Sequence, residues 1–143
     1  MVVRIFVVHN SSKKEDEVLK LENLLERNLN YKVESLSLAG DRRLPDELPD
    51  SFIAENIFFR IKDADIVFFI PSMHGNHDWI EWELSTAQKL GKGIICVKSR
   101  NETSIPQYVN KFTEYVVGWN TDSINSAIEN IIDDRRKLKS RTY

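Results

Sequence analysis

IVFFIP, Ile66 to Pro71, is an unbroken run of β-branched, aromatic and aliphatic residues that ends at a proline. A half-buried strand alternates apolar and polar residues, whereas a continuous apolar run of this length fits a strand covered on both faces, as at the centre of a parallel sheet. Immediately before it, Ser51 to Lys62 carries Ile53, Ile57, Phe58 and Ile61 at helical spacing. Helix followed by doubly buried strand is half of a βαβ unit, and the rest of the chain repeats the pattern.

Towards the N-terminus, VVRIFVVH (Val2 to His9) reads as a strand, NSSKK as a polar loop, and Val18, Leu21, Leu24 and Leu25 as the apolar stripe of a helix. Tyr31 to Leu38 reads as a half-buried strand. AGDRRLPDELPD, Ala39 to Asp50, holds Gly40, Pro45 and Pro49 and is a loop longer than most connections, a length that points to function. Towards the C-terminus, Asp78 to Leu90 is a helix stopped by Gly91, and GIICV (Gly93 to Val97) is another buried strand. IPQYVNKF adds a short turn of helix, EYVVGW a last strand, and Asp122 to Lys139 a closing amphipathic helix.

Strands and helices thus alternate five times. The expected architecture is α/β: a flavodoxin-like open parallel five-stranded sheet of order 2-1-3-4-5, with helices on both faces, in a single domain spanning 1–143. Ligands in such sheets sit beyond the carboxyl ends of the strands, where the winding reverses between the first and third strands. His9 to Lys14 and Ser72 to Asp78 fall there.

Composition narrows the function. With 41% hydrophobic and 29% charged residues, the chain is globular rather than disordered. A formal charge of -2 leaves no global footprint for nucleic acid, and the five basic residues of RRKLKSR (Arg135 to Arg141) suit a solvated helix end, where cations complement the dipole. No nucleic-acid partner is expected. The single cysteine, Cys96, excludes an intrachain disulfide framework and reads as a buried thiol. Apolar runs are too short to span a bilayer, and Arg4 interrupts the first of them, so no membrane partner and a cytoplasmic location are expected. Neither a G-x-G-x-x-G nor a P-loop is present, and the first strand lacks the paired acids of a receiver domain.

Chemistry concentrates in HGNHDWIEWEL, His74 to Leu84. Asp78 suits a helix cap, and Glu81, three residues on, suits the reciprocal partner of a capping box. At ~100° per residue from Trp79, the apolar Ile80, Leu84, Ala87 and Leu90 centre near 80°; Glu83 falls at about 40°, inside that stripe, and Glu81 at about 200°, outside it. An ionised carboxylate inside an apolar face is costly unless it is paired or the face opens onto a cleft. Periodicity alone leaves open a glutamate that snorkels past the stripe or pairs with a lysine or arginine. His74 and His77, with His9 across the sheet, have a spacing a metal would accept, but no cysteine accompanies them and polar loop contacts explain them; no metal is expected. Trp82 reads as packing, and Trp79, one turn before Glu83, as packing or as an aromatic wall for a flat ring.

At Phe6, His9, Ser11, Ser72, Trp79 and Glu83 the sequence resembles the Toll/interleukin receptor (TIR) domain family, and most closely the bacterial TIR-like proteins of the Thoeris antiphage system. RIFVVHNSSKKED resembles the family's opening strand and loop, DADIVFFIPS its third strand, and DWIEWELSTAQKLGKGIICV its signature helix and fourth strand. The resemblance implies that Glu83 is catalytic and that Phe6, His9, Asn10, Ser11, Arg42, Ser72, His74 and Trp79 bind substrate, with Arg42 and Arg43 as phosphate contacts. Val8 departs from the pattern, where many members carry serine.

The implied activity is that of a NAD+ nucleosidase or ADP-ribosyl cyclase: cleavage of the nicotinamide–ribose bond of NAD+, which is the substrate, with no separate cofactor. Nicotinamide leaves a cationic ring as a neutral one, so a single carboxylate that stabilises the developing sugar cation suffices. The implied product is a cyclic or otherwise modified ADP-ribose messenger that activates a separate effector protein. Self-association and a phage-derived trigger are the implied controls. Two alternatives stand beside this reading: a non-enzymatic TIR interaction module, and an enzyme similar to nucleoside deoxyribosyltransferases, whose carboxylate attacks the sugar directly.

Overall fold

The computed structural model describes residues 2–8, 15–27, 32–37, 49–71, 77–98 and 107–141, with the backbone alone at 15, 16, 77, 78, 108, 109 and 138–141. Its elements, in chain order, are β1 (Val2–Val8), α1 (Glu15–Glu26), β2 (Lys32–Ser35), α2 (Asp50–Asp63), β3 (Ile66–Phe69), α3 (His77–Lys89), β4 (Gly93–Lys98), α4 (Gln107–Asn110), β5 (Tyr115–Gly118) and α5 (Thr121–Arg141). The strands form one sheet of order β2-β1-β3-β4-β5, every neighbouring pair parallel, as the alternation of elements predicts.

Side-chain alternation along the central strands explains their continuous hydrophobicity. Val3, Ile5 and Val7 of β1, Ile66 and Phe68 of β3, and Ile95 and Val97 of β4 join a core with α1 (Val18, Leu21, Leu25) and α5 (Ile124, Ala127, Ile128, Ile131). Their neighbours Phe6, Val8, Val67, Phe69, Ile94 and Cys96 face the other way, against α2 (Ile57, Ile61) and α3 (Ile80, Leu84, Ala87). Both faces of β3 are therefore covered, and each fully buried phenylalanine there, Phe68 and Phe69, contributes ~1.5–3 kcal/mol relative to exposure. The edge strands β2 and β5 alternate instead between exposed and half-buried residues. Cys96 is buried and in no disulfide, as its setting in GIICV predicts.

Several boundaries differ from expectation, each for a local reason. β2 closes at Ser35 rather than Leu38: Leu36 still donates to the Ile5 carbonyl (2.8 Å), but the next β1 donor, Val7 N–H, is accepted by the Ser37 hydroxyl at 3.0 Å. α3 begins at His77, one residue before Asp78, and α5 at Thr121, where the Asn120 carboxamide oxygen accepts the Ser123 N–H at 3.1 Å as a cap. α3 ends at Lys89, one residue before the expected Leu90, and Gly91 stops it as expected. Gly91 has φ 72°, Lys92 N–H donates to the Ala87 carbonyl (3.0 Å) and Gly91 N–H to Gln88 (3.0 Å), the paired bonds of a Schellman motif. Gly93 starts β4 directly beneath α5, where a Cβ would meet two Ile131 side-chain carbons at 2.7 Å. Arg135 of the basic stretch is more than a solvated helix end: its guanidinium donates to the Gly91 carbonyl (3.0 Å) and to Glu114 (3.1 Å). Among the described residues, no helix is long and apolar enough to cross a membrane.

Candidate functional site

The winding reverses between β1 and β3, which pair from Ile5–Ile66 to Val8–Phe69, and the Ile70 N–H carries the ladder one step further onto the Val8 carbonyl at 3.2 Å. α3 follows β3 and returns over the face that holds Phe6, Val8, Val67 and Phe69. Its first turns therefore lie at the carboxyl edge of the central strands, where open α/β sheets place ligands.

The side chains of α3 sort as the helical wheel predicts. Ile80, Leu84 and Ala87 are buried, Glu81 is exposed, and Glu83 is half-buried at the margin of the apolar stripe. Although part of its surface stays open, Glu83 is enclosed deeply enough that burial pushes its carboxyl from its ordinary 4.5 up to about 8. Among the described residues no opposing influence accompanies burial, and Glu83 lies seven positions into the helix, beyond the turn over which the dipole favours an anion. The geometry is a half-buried carboxyl at the edge of an apolar stripe, and with its pKa raised to about 8 it holds its proton at neutral pH. The expected carboxylate is thus a carboxylic acid at rest.

Trp79, one turn earlier, is half-buried and packs on the same apolar cluster as Phe6, Val8 and Leu84. Its ring meets that of Trp82 edge to face, with centroids 5.7 Å apart and planes at 88°. Trp82 is 36% exposed, so the pair extends from the wall of the site to the surface. Phe6 is 3% exposed and belongs to the same buried cluster. His9, Asn10, Ser11, Arg42, Arg43, Ser72 and His74 lie outside the described residues, as do the side chains of His77 and Asp78, and with them the capping-box pairing. Among the described residues no group of three or more His, Cys, Asp and Glu is placed to hold a metal ion.

Two features of this edge carry no periodic signal in the sequence. Ser37 is fully buried, takes the Val7 N–H, and accepts a hydrogen bond from the Ser35 hydroxyl at 2.9 Å, fixing where β2 leaves β1. Arg60 of α2 donates to the Leu36 carbonyl (2.9 Å) and to the Asn56 carboxamide oxygen (2.7 Å), tying α2 to the same exit. The i, i+4 spacing of Asn56 and Arg60 was the one readable clue.

No family model matches the chain, and no curated protein matches it. Solved structures do. The chain is similar to a 2-deoxyribosyltransferase from Bacillus psychrosaccharolyticus (20% identity, TM-score 0.62, covering 85% of this chain and 90% of that one). It is similar to the CMP N-glycosidase BcmB of Clostridium botulinum (13% identity, TM-score 0.54, 88% and 98% covered). A third likeness is to the signal receiver domain of a protein described as a Luxo repressor from Vibrio parahaemolyticus (12% identity, TM-score 0.56, 99% and 98% covered). Two enzyme folds and a receiver domain superpose about equally well, so what the likeness shows is a shared flavodoxin-like α/β fold.

Proposed function

We propose that the chain is an enzyme that breaks the N-glycosidic bond of a nucleoside or nucleotide, with Glu83 as the reacting carboxyl. The observation that carries this reading is the position of Glu83: an acid inside the apolar stripe of α3, at the carboxyl edge of the central strands, with its carboxyl raised by burial to about 8. Perturbed carboxyls in clefts are a mark of acid–base and sugar-transfer chemistry. Two of the structures that share the fold are named for bonds between a sugar and a base, a deoxyribosyltransferase and a CMP N-glycosidase, which supports this substrate class. Trp79 on the neighbouring turn supplies an aromatic wall against which a base or sugar would stack.

A narrower reading has NAD+ as the substrate, since its nicotinamide–ribose link is also an N-glycosidic bond. The Trp79–Glu83 spacing and the resemblance to TIR domains favour it. On that reading the product is a cyclic or modified ADP-ribose that acts as an antiphage messenger on a separate effector, and self-association or an infection-derived trigger sets the rate. The test is incubation of the purified chain with ribonucleosides, 2′-deoxynucleosides, their 5′-monophosphates and NAD+, with products read by mass spectrometry. Release of a pyrimidine or purine base supports the broad reading, nicotinamide release alone the narrower one, and the absence of any freed base contradicts both.

A further inference from the structure

We infer that the outer face of α2 and α3 is the surface on which a second copy of the chain docks, with the helices of the two copies antiparallel about a two-fold axis. This holds whether or not Glu83 is a reacting group. Phe52 and Phe59 are 49% and 50% exposed, and Trp82 is 36% exposed. At ~100° per residue both phenylalanines fall ~160–180° round α2 from the buried Ile61, and Trp82 falls ~160° round α3 from the buried Leu84, so all three point away from the sheet. The other large exposed apolar side chains, Val2, Leu19 and Val116, stand singly on β1, α1 and β5, which is ordinary for a surface. Three aromatic rings on two adjacent helices form a patch.

The charges on the same stripes identify the occupant. Glu55 and Lys62 are exposed seven residues apart on α2, and Trp82 and Lys89 are exposed seven residues apart on α3. Seven residues are nearly two turns, so the members of each pair lie on one side of their helix, ~10 Å apart. The sheet register sets the two helices level. Ile66, two residues after the α2 cap Ala64, pairs with Gly93, two residues after Gly91 at the end of α3. Glu55 is therefore level with Trp82, and Lys62 with Lys89.

A two-fold axis crossing both helices midway between those levels brings Lys62 of each copy to Glu55 of the other, and Lys89 of each copy to the Trp82 ring of the other. One axis thus yields two ion pairs and two cation–π contacts, with the Phe59 rings meeting near the centre and the helix dipoles opposed. An axis parallel to the helices would instead set Glu55 on Glu55 and Lys62 on Lys62, so charge selects the antiparallel arrangement. The aromatic anchors are already fixed in place: Phe58 holds the Phe59 ring edge to face (centroids 5.7 Å apart, planes at 73°) and Trp79 holds Trp82 in the same way. Helices of 14 and 13 residues, each ~20 Å long and ~10 Å across, offer ~400 Å2 per copy, the lower limit of a specific interface. The dimer is accordingly weak and reversible, with a Kd on the order of 10–100 μM.

Sedimentation velocity of the full chain from about 5 to about 500 μM, at low salt, tests this directly. The wild type should pass from monomer to dimer across that range. Glu55→Lys and Lys62→Glu each set like charges across the axis and should weaken pairing about tenfold or more. Mixed in equal amounts, those two variants should pair again, because each supplies the sign the other lacks. Phe59→Ser should remove the dimer. All three positions are exposed, so the fold is retained, which circular dichroism verifies. A wild type that stays monomeric throughout would overturn the inference and leave the face to a different protein. A dimer that Phe59→Ser leaves intact would overturn it too, as would two folded charge variants that fail to pair when mixed.

Discussion

Replacing Glu83 by glutamine should make the protein more stable than the wild type at high pH and no more stable at low pH. The folded carboxyl stands at about 8, above its ordinary 4.5, because burial penalises the anion. A group raised in this way contributes stability that is fully present below its unfolded value and is lost as pH climbs through its folded one. The window of loss is therefore from 4.5 to about 8. At ~1.4 kcal/mol per pH unit, that window sets a ceiling of ~5 kcal/mol. Part of Glu83 is open to water, which screens the anion, and about half of the ceiling, ~2–3 kcal/mol, is the expected loss. The amide keeps the shape of the protonated acid and cannot ionise, so it escapes the loss. Urea unfolding of wild type and Glu83→Gln at about pH 5 and about pH 8.5 measures the difference, with every other titrating group cancelling between the two proteins. Parallel loss of stability in the two, within ~0.5 kcal/mol, would refute the reasoning that Glu83 is held neutral by burial.

Other perturbations probe the fold around the site. Gly93→Ala drives a methyl to 2.7 Å from Ile131 and should cost ~1–3 kcal/mol, seen as a lowered Tm that Ile131→Val partly restores. Ser37→Ala removes the hydroxyl that accepts the Val7 N–H and should cost ~1 kcal/mol in urea unfolding. Trp79→Ala should lower turnover per folded molecule more than Trp82→Ala does; equal activity in the two, with only the melting temperature of Trp79→Ala reduced, would make Trp79 a packing residue and no more.

How much of this the sequence discloses depends on whether a feature repeats. The strand at Ile66 is legible because both of its faces are buried and no polar residue interrupts it; the same holds for Gly93 to Val97. The placement of Glu83 is legible because an acid breaks an otherwise apolar helical stripe, a conflict visible from spacing alone. Its protonation is not, since that depends on how completely the sheet and α3 enclose it, a property of packing rather than of period. Ser37 is silent for a different reason. A lone serine after a short strand has no periodicity, and its hydroxyl acts on a backbone donor 30 residues earlier. The premature end of β2 follows from that bond, and an apolar count that runs on to Leu38 overlooks it. In the sequence Arg135 looks like a solvated cation, because its partners, Gly91 and Glu114, come from two other segments of the chain.

The most direct test of the account is base release from nucleosides, nucleotides and NAD+ by the wild type, Glu83→Gln and Glu81→Gln, measured side by side by mass spectrometry at neutral pH. Glu81 is exposed on the same helix and serves as the control. The account predicts release by the wild type, little change in Glu81→Gln, and a loss of about a hundredfold or more in Glu83→Gln with the fold retained. Undiminished release by a folded Glu83→Gln protein would contradict it.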